Sequence, residues 1–553
     1  MKNRTKVSLF AMLAIILVIG ACGNDKKEST AETSSEKVEK VADKQEITVT
    51  TTAELATLDS ALYTDVVSSD AIGQIFEGLY RIDKNNDAEL GIAKAEPKIN
   101  EAKTVYTYQI RDEAKWSNGD PVTADDFVYA YQKVVNPATG SQSSNQMDIF
   151  ENAEAIRNGE RPITDLGVKA LDEKTLEITL TSPVPYLAKL LTGTPFYPQN
   201  KKVATDLADK YGTNSENVIG NGPFTISKWD GTNLSWAYTK NKNYWDAKNV
   251  KLEHIDVEVA KETATGANLF DGGEVQYTGL TDEFIQKYQG SENYHEQPKA
   301  LIGYLGFNTE RENTGNVHLR KALALAFDKK SYTEGVLIDG SKPLDGFIPT
   351  DFAKDPKNGK DFRKENGNLM DFDAKEAKAE WELAKKDLGI SELTLEVLSS
   401  DAGSAKKTVE YLQAQFEENL PGLTIQLKSV PLKNRLDLTR VGDYDVFFGT
   451  WTPDYADPIN FLEIYQSNGG INFSKYSNPT YDAGITEVKT SLATEPEKRW
   501  DKMLELEKQL IQEDAAIATV YQGAQAYLLA PEVTGLQVLP FGRTVSYRLA
   551  QVN

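Results

Sequence analysis

Leu393-Thr394-Leu395-Glu396-Val397-Leu398 is the stretch from which the fold class is read. Its apolar and polar residues alternate, the period of a strand with one buried face. It stands between two helical patterns. Asp373 to Leu388 is charged and amphipathic, and a second helix, capped by Ser404, carries Val409 and Leu412 on its apolar face. Another β-rich run, Tyr444-Asp445-Val446-Phe447-Phe448-Gly449, follows. Strand and helix therefore alternate, and the same alternation extends through the chain. Strand-like runs occur at Glu46 to Thr51, Thr104 to Arg111, Lys169 to Leu171 and Leu176 to Leu180. Helical stripes occur at Ile72, Ile75, Phe76 and Leu79, starting near Ser69, at Leu319 to Phe327, and from Glu495 to Ile511. Thr123, with Asp126 at the reciprocal position, is predicted to cap a helix carrying Phe127, Tyr131 and Val134. The class is mixed α/β.

The first residues address where this body sits. Lys2, Arg4 and Lys6 precede an apolar run from Val7 to Gly20, too short for the roughly 20 residues of a membrane span. Ile19-Gly20-Ala21-Cys22 ends it with small residues before the only cysteine of the chain. The pattern is that of a signal peptide, residues 1–21, cut so that Cys22 receives a lipid. An uncleaved anchor helix and an ordinary secretory signal with an incidental cysteine are the alternatives. A lone cysteine excludes an intramolecular disulfide. Residues 22–45 are rich in Lys, Glu, Ser, Thr and Ala and hold no aromatic, so they are read as a lipidated, disordered tether.

The formal charge is −22, with 83 acidic residues against 61 basic, and loss of the three basic residues of the leader makes it −25. So acidic a surface disfavours nucleic acid and anionic lipid as partners, and leaves membrane attachment to the acyl chains.

The chain offers little for catalysis. Its three histidines, His254, His295 and His318, are isolated in sequence. There is no paired-histidine metalloprotease motif, G-x-S-x-G elbow, P-loop or dinucleotide fingerprint. Ser404-Ala405-Lys406-Lys407 matches the S-x-x-K of penicillin-binding enzymes, without the companion K-T-G or S-D-N motifs. No metal or cofactor is expected.

A set of segments in order carries a resemblance. They are Leu58-Asp59 with Ile75-Phe76-Glu77-Gly78-Leu79; Trp116-Ser117-Asn118-Gly119-Asp120-Pro121-Val122-Thr123-Ala124-Asp125-Asp126-Phe127; Gly220-Asn221-Gly222-Pro223-Phe224; Asn243-Tyr244-Trp245-Asp246; Phe307-Asn308-Thr309; Leu319 to Asp328; and Trp451-Thr452-Pro453-Asp454-Tyr455-Ala456-Asp457-Pro458. From Glu46 to the C-terminus the chain resembles the family-5 extracytoplasmic solute-binding proteins of ABC importers, most of all the oligopeptide-binding lipoproteins of Gram-positive bacteria.

The resemblance implies a two-lobed, periplasmic-binding-protein-like fold of the cluster C type with an extra inserted domain. Domain I would comprise residues 46–75, 192–299 and 523–553, domain II 76–191 and domain III 300–522. It implies a monomer that captures oligopeptides between its lobes and hands them to ABC permease subunits served by cytoplasmic ATPases. Asp454 stands where the family meets the peptide's free ammonium; by local pattern alone it is a turn aspartate before Asp457-Pro458. Gly449, Thr450, Trp451 and Thr452 match the segment that pairs with peptide backbone. Tyr63, Thr64, Asp65 and Val66 match the facing segment. Trp451 is also readable as core, and Tyr521 is expected to line the cleft. One departure stands out: Phe448 occupies a position where binders of short peptides hold the ligand's C-terminus with a basic side chain, so longer ligands are expected. A signalling-peptide receptor, a binder of nickel or sugar, and a cell-wall hydrolase are the alternatives; scarce histidine argues against nickel and Asp454 argues for an amine.

Overall fold

The computed structural model describes residues 42–467 and 469–553. The leader, Cys22 and the tether up to Val41 lie outside the described residues. Residues 42–45, expected to belong to the tether, are tied to the body. The Gln45 side-chain amide donates to the Val552 carbonyl at 2.7 Å, and its oxygen accepts the Val552 N–H at 3.0 Å. A polar side chain that clasps a distant backbone cannot be read from local composition.

Ile47 and Val49, alternate residues of Glu46–Thr51, are buried, and this strand pairs in parallel with His254–Val259 from Glu46↔His254 to Thr51↔Val259. It belongs to an eleven-stranded sheet. The strands run in the order 423–430, 393–400, 446–451, 294–307, 517–529, 277–280, 46–51, 254–259, 235–240 and 224–227, with Lys342–Pro343 pairing on 517–529. Parallel pairings lie on both sides of the antiparallel strands Tyr294–Phe307 and Ile517–Leu529, and the order closes at one end with the antiparallel strands 254–259, 235–240 and 224–227. Tyr294 to Pro298 pair with Leu528 to Ala524. After a break between Pro298 and Ile302, Ile302 to Gly306 pair with Gln522 to Ile517. A second shift follows between Gly303 and Tyr304, so the ladder that couples the two halves of the sheet is interrupted between Pro298 and Tyr304.

A separate antiparallel sheet is formed by Lys98–Ile99, Val105–Gln109, Thr175–Thr179 and Val168–Asp172. The helix Ala124–Val135 packs on it through Phe127, Tyr131 and Val134, all buried. The Asp126 carboxylate accepts the Thr123 N–H at 2.9 Å, as the capping pattern predicts, and also the Trp116 indole N–H and the Lys201 N–H. The Trp116 to Phe127 motif therefore holds this part of the chain together.

Two helix starts differ from expectation. The first helix is Val66–Ile75, capped by Asp65 three residues before the inner start read from the apolar stripe. The helix Gly403–Asn419 has Ala402 at its cap, so Ser404 lies inside its first turn. Asp373 caps Ala374–Leu388 by accepting the N–H groups of Lys375 and Glu376. A contiguous apolar core runs from Ile47 through Phe127, Phe327 and Trp381 to Ala550.

Candidate binding cleft

The strand Val446–Trp451 pairs along its whole length with Phe307 to Ile302 on one side. On the other side its parallel partner reaches only Val397↔Val446 and Leu398↔Phe447. From Phe448 to Trp451 that edge carries no strand among the described residues. Such an edge presents unpaired N–H and C=O groups to any extended chain laid beside it. Phe448 is buried, Thr450 and Thr452 are exposed, and the half-buried Trp451 leaves its indole N–H without a partner. A Cβ on Gly449 would stand 3.1 Å from the Phe447 ring and 3.4 Å from Arg435 Nη1.

Asp454 follows this edge. It lines a cavity of about 340 Å³ together with Trp451, Tyr455 and Tyr186, whose two tyrosine rings stack at 4.3 Å. Solvent reaches its carboxylate, yet the walls crowd it. Burial, and secondarily the negative charge of Glu463, raise its pKa above the ordinary carboxylate value. Gln146 Nε2 donates to Oδ1 at 3.3 Å. The cavity also contains Arg499 and Lys489, and both are taken. Arg499 grips Asp457 with two hydrogen bonds of 2.8 and 2.9 Å, and Lys489 pairs with Glu463 at 2.8 Å. Among the described residues no cation pairs with Asp454. A carboxylate so crowded and without a counter-charge attracts a cation that can donate hydrogen bonds.

Tyr63, Thr64, Asp65 and Val66 line an adjoining recess of about 470 Å³, and Asp454 lines it too. The fold thus brings two segments nearly four hundred residues apart to one place. Burial pushes the Tyr63 hydroxyl up to about 12. The Asp65 side chain is already engaged, accepting the Ser68 N–H at 2.8 Å and the Ser68 hydroxyl at 2.7 Å. Each of its two carboxylate oxygens thus already accepts a hydrogen bond within its own helix start. Tyr521 is buried between Phe448 and Tyr332 and lines neither recess. Gln146 and Ser143 share the recess with Asp454; no local pattern in the sequence singles them out.

The histidines lie elsewhere. His254 faces Asp256, His318 bonds Glu380 at 2.5 Å, and His295 stacks on Tyr527. Among the described residues no group of three or more His, Cys, Asp or Glu side chains is arranged to hold a metal ion, and no helix is long and apolar enough to cross a membrane.

Residues 87–473 match the model of the bacterial extracellular solute-binding proteins, family 5. The chain is 31% identical to the dipeptide-binding protein of Lactococcus lactis subsp. cremoris (strain MG1363), over 99% of this chain and 98% of that one. Among solved structures it is similar to Listeria monocytogenes OppA bound to peptide, with 39% identity, 93% of this chain and 100% of that one covered, and a TM-score of 0.73. It is also similar to the pheromone receptor PrgZ, with 33% identity, coverage of 92% and 100%, and a TM-score of 0.73. The α/β fold is accordingly the two-lobed type of the periplasmic binding proteins with an extra domain.

Proposed function

We propose, for a chain that belongs to the family 5 bacterial extracellular solute-binding proteins, that it captures oligopeptides between its lobes and delivers them to an ABC peptide importer. The carrying observation is the Asp454 carboxylate, crowded and without a cation, at the end of an unpaired strand edge. An extended peptide adds to residues 449–452 through its backbone, which every peptide shares, and its α-ammonium reaches Asp454. Residues 63–66 close over it from the facing side. The chain acts by binding alone, and its partners are the peptide and the permease with its ATPases.

The lobes correspond, on this reading, to domains I and III, and the hinge to the register break at Pro298 to Ile302 opposite Gln522 to Ala524. Domain II is the part built on the four-stranded sheet. Ligand favours the closed form only through contacts that the second lobe adds, and the closed form docks on the permease. Cleavage before Cys22 and its lipidation hold the body, as a monomer, at the outer face of the cell membrane.

A second reading keeps the same site. The similarity to a pheromone receptor supports a signalling-peptide receptor that feeds the importer. Native mass spectrometry of freshly purified protein separates them, because uptake gives a spread of co-purifying peptides and signalling gives one dominant mass. The amine anchor is tested by calorimetry with free and N-acetylated forms of one peptide. Acetylation is expected to weaken binding about 30- to 100-fold, from the roughly 2–3 kcal/mol of a charged hydrogen bond. Equal affinity would overturn the assignment.

A further inference from the structure

We propose that a second cavity, beside the cleft and sharing Val66 with it, selects a ligand residue with an uncharged side chain that both donates and accepts hydrogen bonds, a carboxamide above all. The inference rests on the peptide-binding reading and adds a specificity to it. The cavity holds about 310 Å³ and is lined by Val66, Asp70, Trp236, Tyr277, Lys299 and Gln525 among others. Val66, 52% exposed, also lines the recess of Asp454, so a chain anchored there passes this opening.

The polar groups of the cavity are incompletely used. Trp236 is only 3% exposed, and its indole N–H, turned weakly toward the Tyr238 hydroxyl, completes no hydrogen bond. Gln525 donates its amide to the Tyr277 hydroxyl at 3.1 Å, while its Oε1 is buried without a donor. Asp70 Oδ1 takes the N–H groups of Thr544 and Val545, at 2.5 and 3.3 Å, and the Thr544 side chain also bonds this carboxylate. Among the described residues Lys299 makes no ion pair, and burial lowers its pKa while the charge of Asp70 acts the other way.

These groups divide by chemistry. Lys299 Nζ and Trp236 Nε1 are donors seeking an acceptor, and Gln525 Oε1 is an acceptor seeking a donor. One cation and one anion share the space without pairing. An anionic side chain would face Asp70 and a cationic one Lys299, each at a cost from the like charge. An apolar side chain would displace water and leave these three groups unserved. A carboxamide satisfies both kinds at once, its oxygen taking the donors and its NH₂ serving Gln525 Oε1.

The test uses calorimetry on the full-length protein with a series of pentapeptides. An all-alanine scaffold carries Gln, Leu, Glu or Lys at each position in turn. At one position Gln is expected to bind about 10- to 100-fold tighter than Leu, with Glu and Lys also weaker than Gln. In Lys299→Met and in Trp236→Phe, the second of which keeps an aromatic ring but removes the indole N–H, the Gln-over-Leu ratio there is expected to fall below about threefold. If the alanine scaffold binds but no position prefers Gln, or if the preference survives both substitutions, the pocket assignment falls and peptide capture stands. If no peptide of the series binds, both fall.

Discussion

Asp454 is a carboxylate whose neighbouring cations are already spent on Asp457 and Glu463. Asp454→Asn keeps its shape and removes its charge, so peptide affinity should fall about 30- to 100-fold, as measured by calorimetry. Acid should imitate the substitution. The pKa of the carboxyl is raised, so protonation begins at a higher pH than for a free aspartate, and wild-type affinity should decline on acidification more steeply than that of the variant. Asp70 behaves oppositely toward folding. Burial raises it from its ordinary 3.8 to about 6 against the pull of Thr544, Val545 and Arg543. The folded protein therefore holds a proton that the unfolded chain releases. The contribution of Asp70 is fully favourable below about pH 4 and is lost by up to about 3 kcal/mol as pH rises to about 6. Urea midpoints measured across that range should show this slope in wild type and lack it in Asp70→Asn. The sequence exposed Asp454 only through its neighbours Trp451 to Pro458. It said nothing of Asp70, Lys299 and Trp236, which gather from three distant segments only in the fold.

Short elements show where local reading succeeds. Thr123 and Asp126 were legible because a capping box is written within four residues, and Asp373 caps its helix for the same reason. Ser404 failed as a cap because the chain already turns helical at Gly403. The start of Val66–Ile75 was missed because Val66 is exposed and falls outside the apolar stripe, although Asp65 before it is a strong cap. That cap separates two roles for Asp65. Asp65→Asn retains the acceptor and should change neither stability nor peptide affinity appreciably, whereas Asp65→Ala should cost about 1 kcal/mol in urea unfolding. Asp126 is more deeply committed, with Thr123, Trp116 and Lys201 all donating to it. Asp126→Ala should destabilise by about 3–5 kcal/mol while leaving the peptide affinity of the folded protein unchanged. The open edge at residues 448–451 had no local signature, because register is a property of two strands and not of one.

Across the molecule, the two long strands 294–307 and 517–529 couple the halves of the sheet, and their pairing breaks first between Pro298 and Ile302. Alternating strands and helices announced the α/β class, and the ordered motifs announced the family. Neither announced that one antiparallel pair would join the two ends of the sheet, since that pairing spans more than two hundred residues. If the break is the hinge, saturating peptide should reduce the radius of gyration seen by small-angle X-ray scattering. At a free peptide concentration of 100 times Kd it should add about 2.7 kcal/mol to unfolding. Unchanged scattering with the expected stabilisation would mean capture without closure.

Ala42 donates its N–H to the Val552 carbonyl at 3.0 Å beside the clasp of Gln45. Head and tail of the ordered body therefore emerge side by side. A short peptide loop could splice them into a ring, and new ends could be opened at an exposed turn without dismantling the sheet. Force applied at Ala42 would first shear this small zipper and leave the cleft unstrained, so a body tugged from its leading end could keep its cargo.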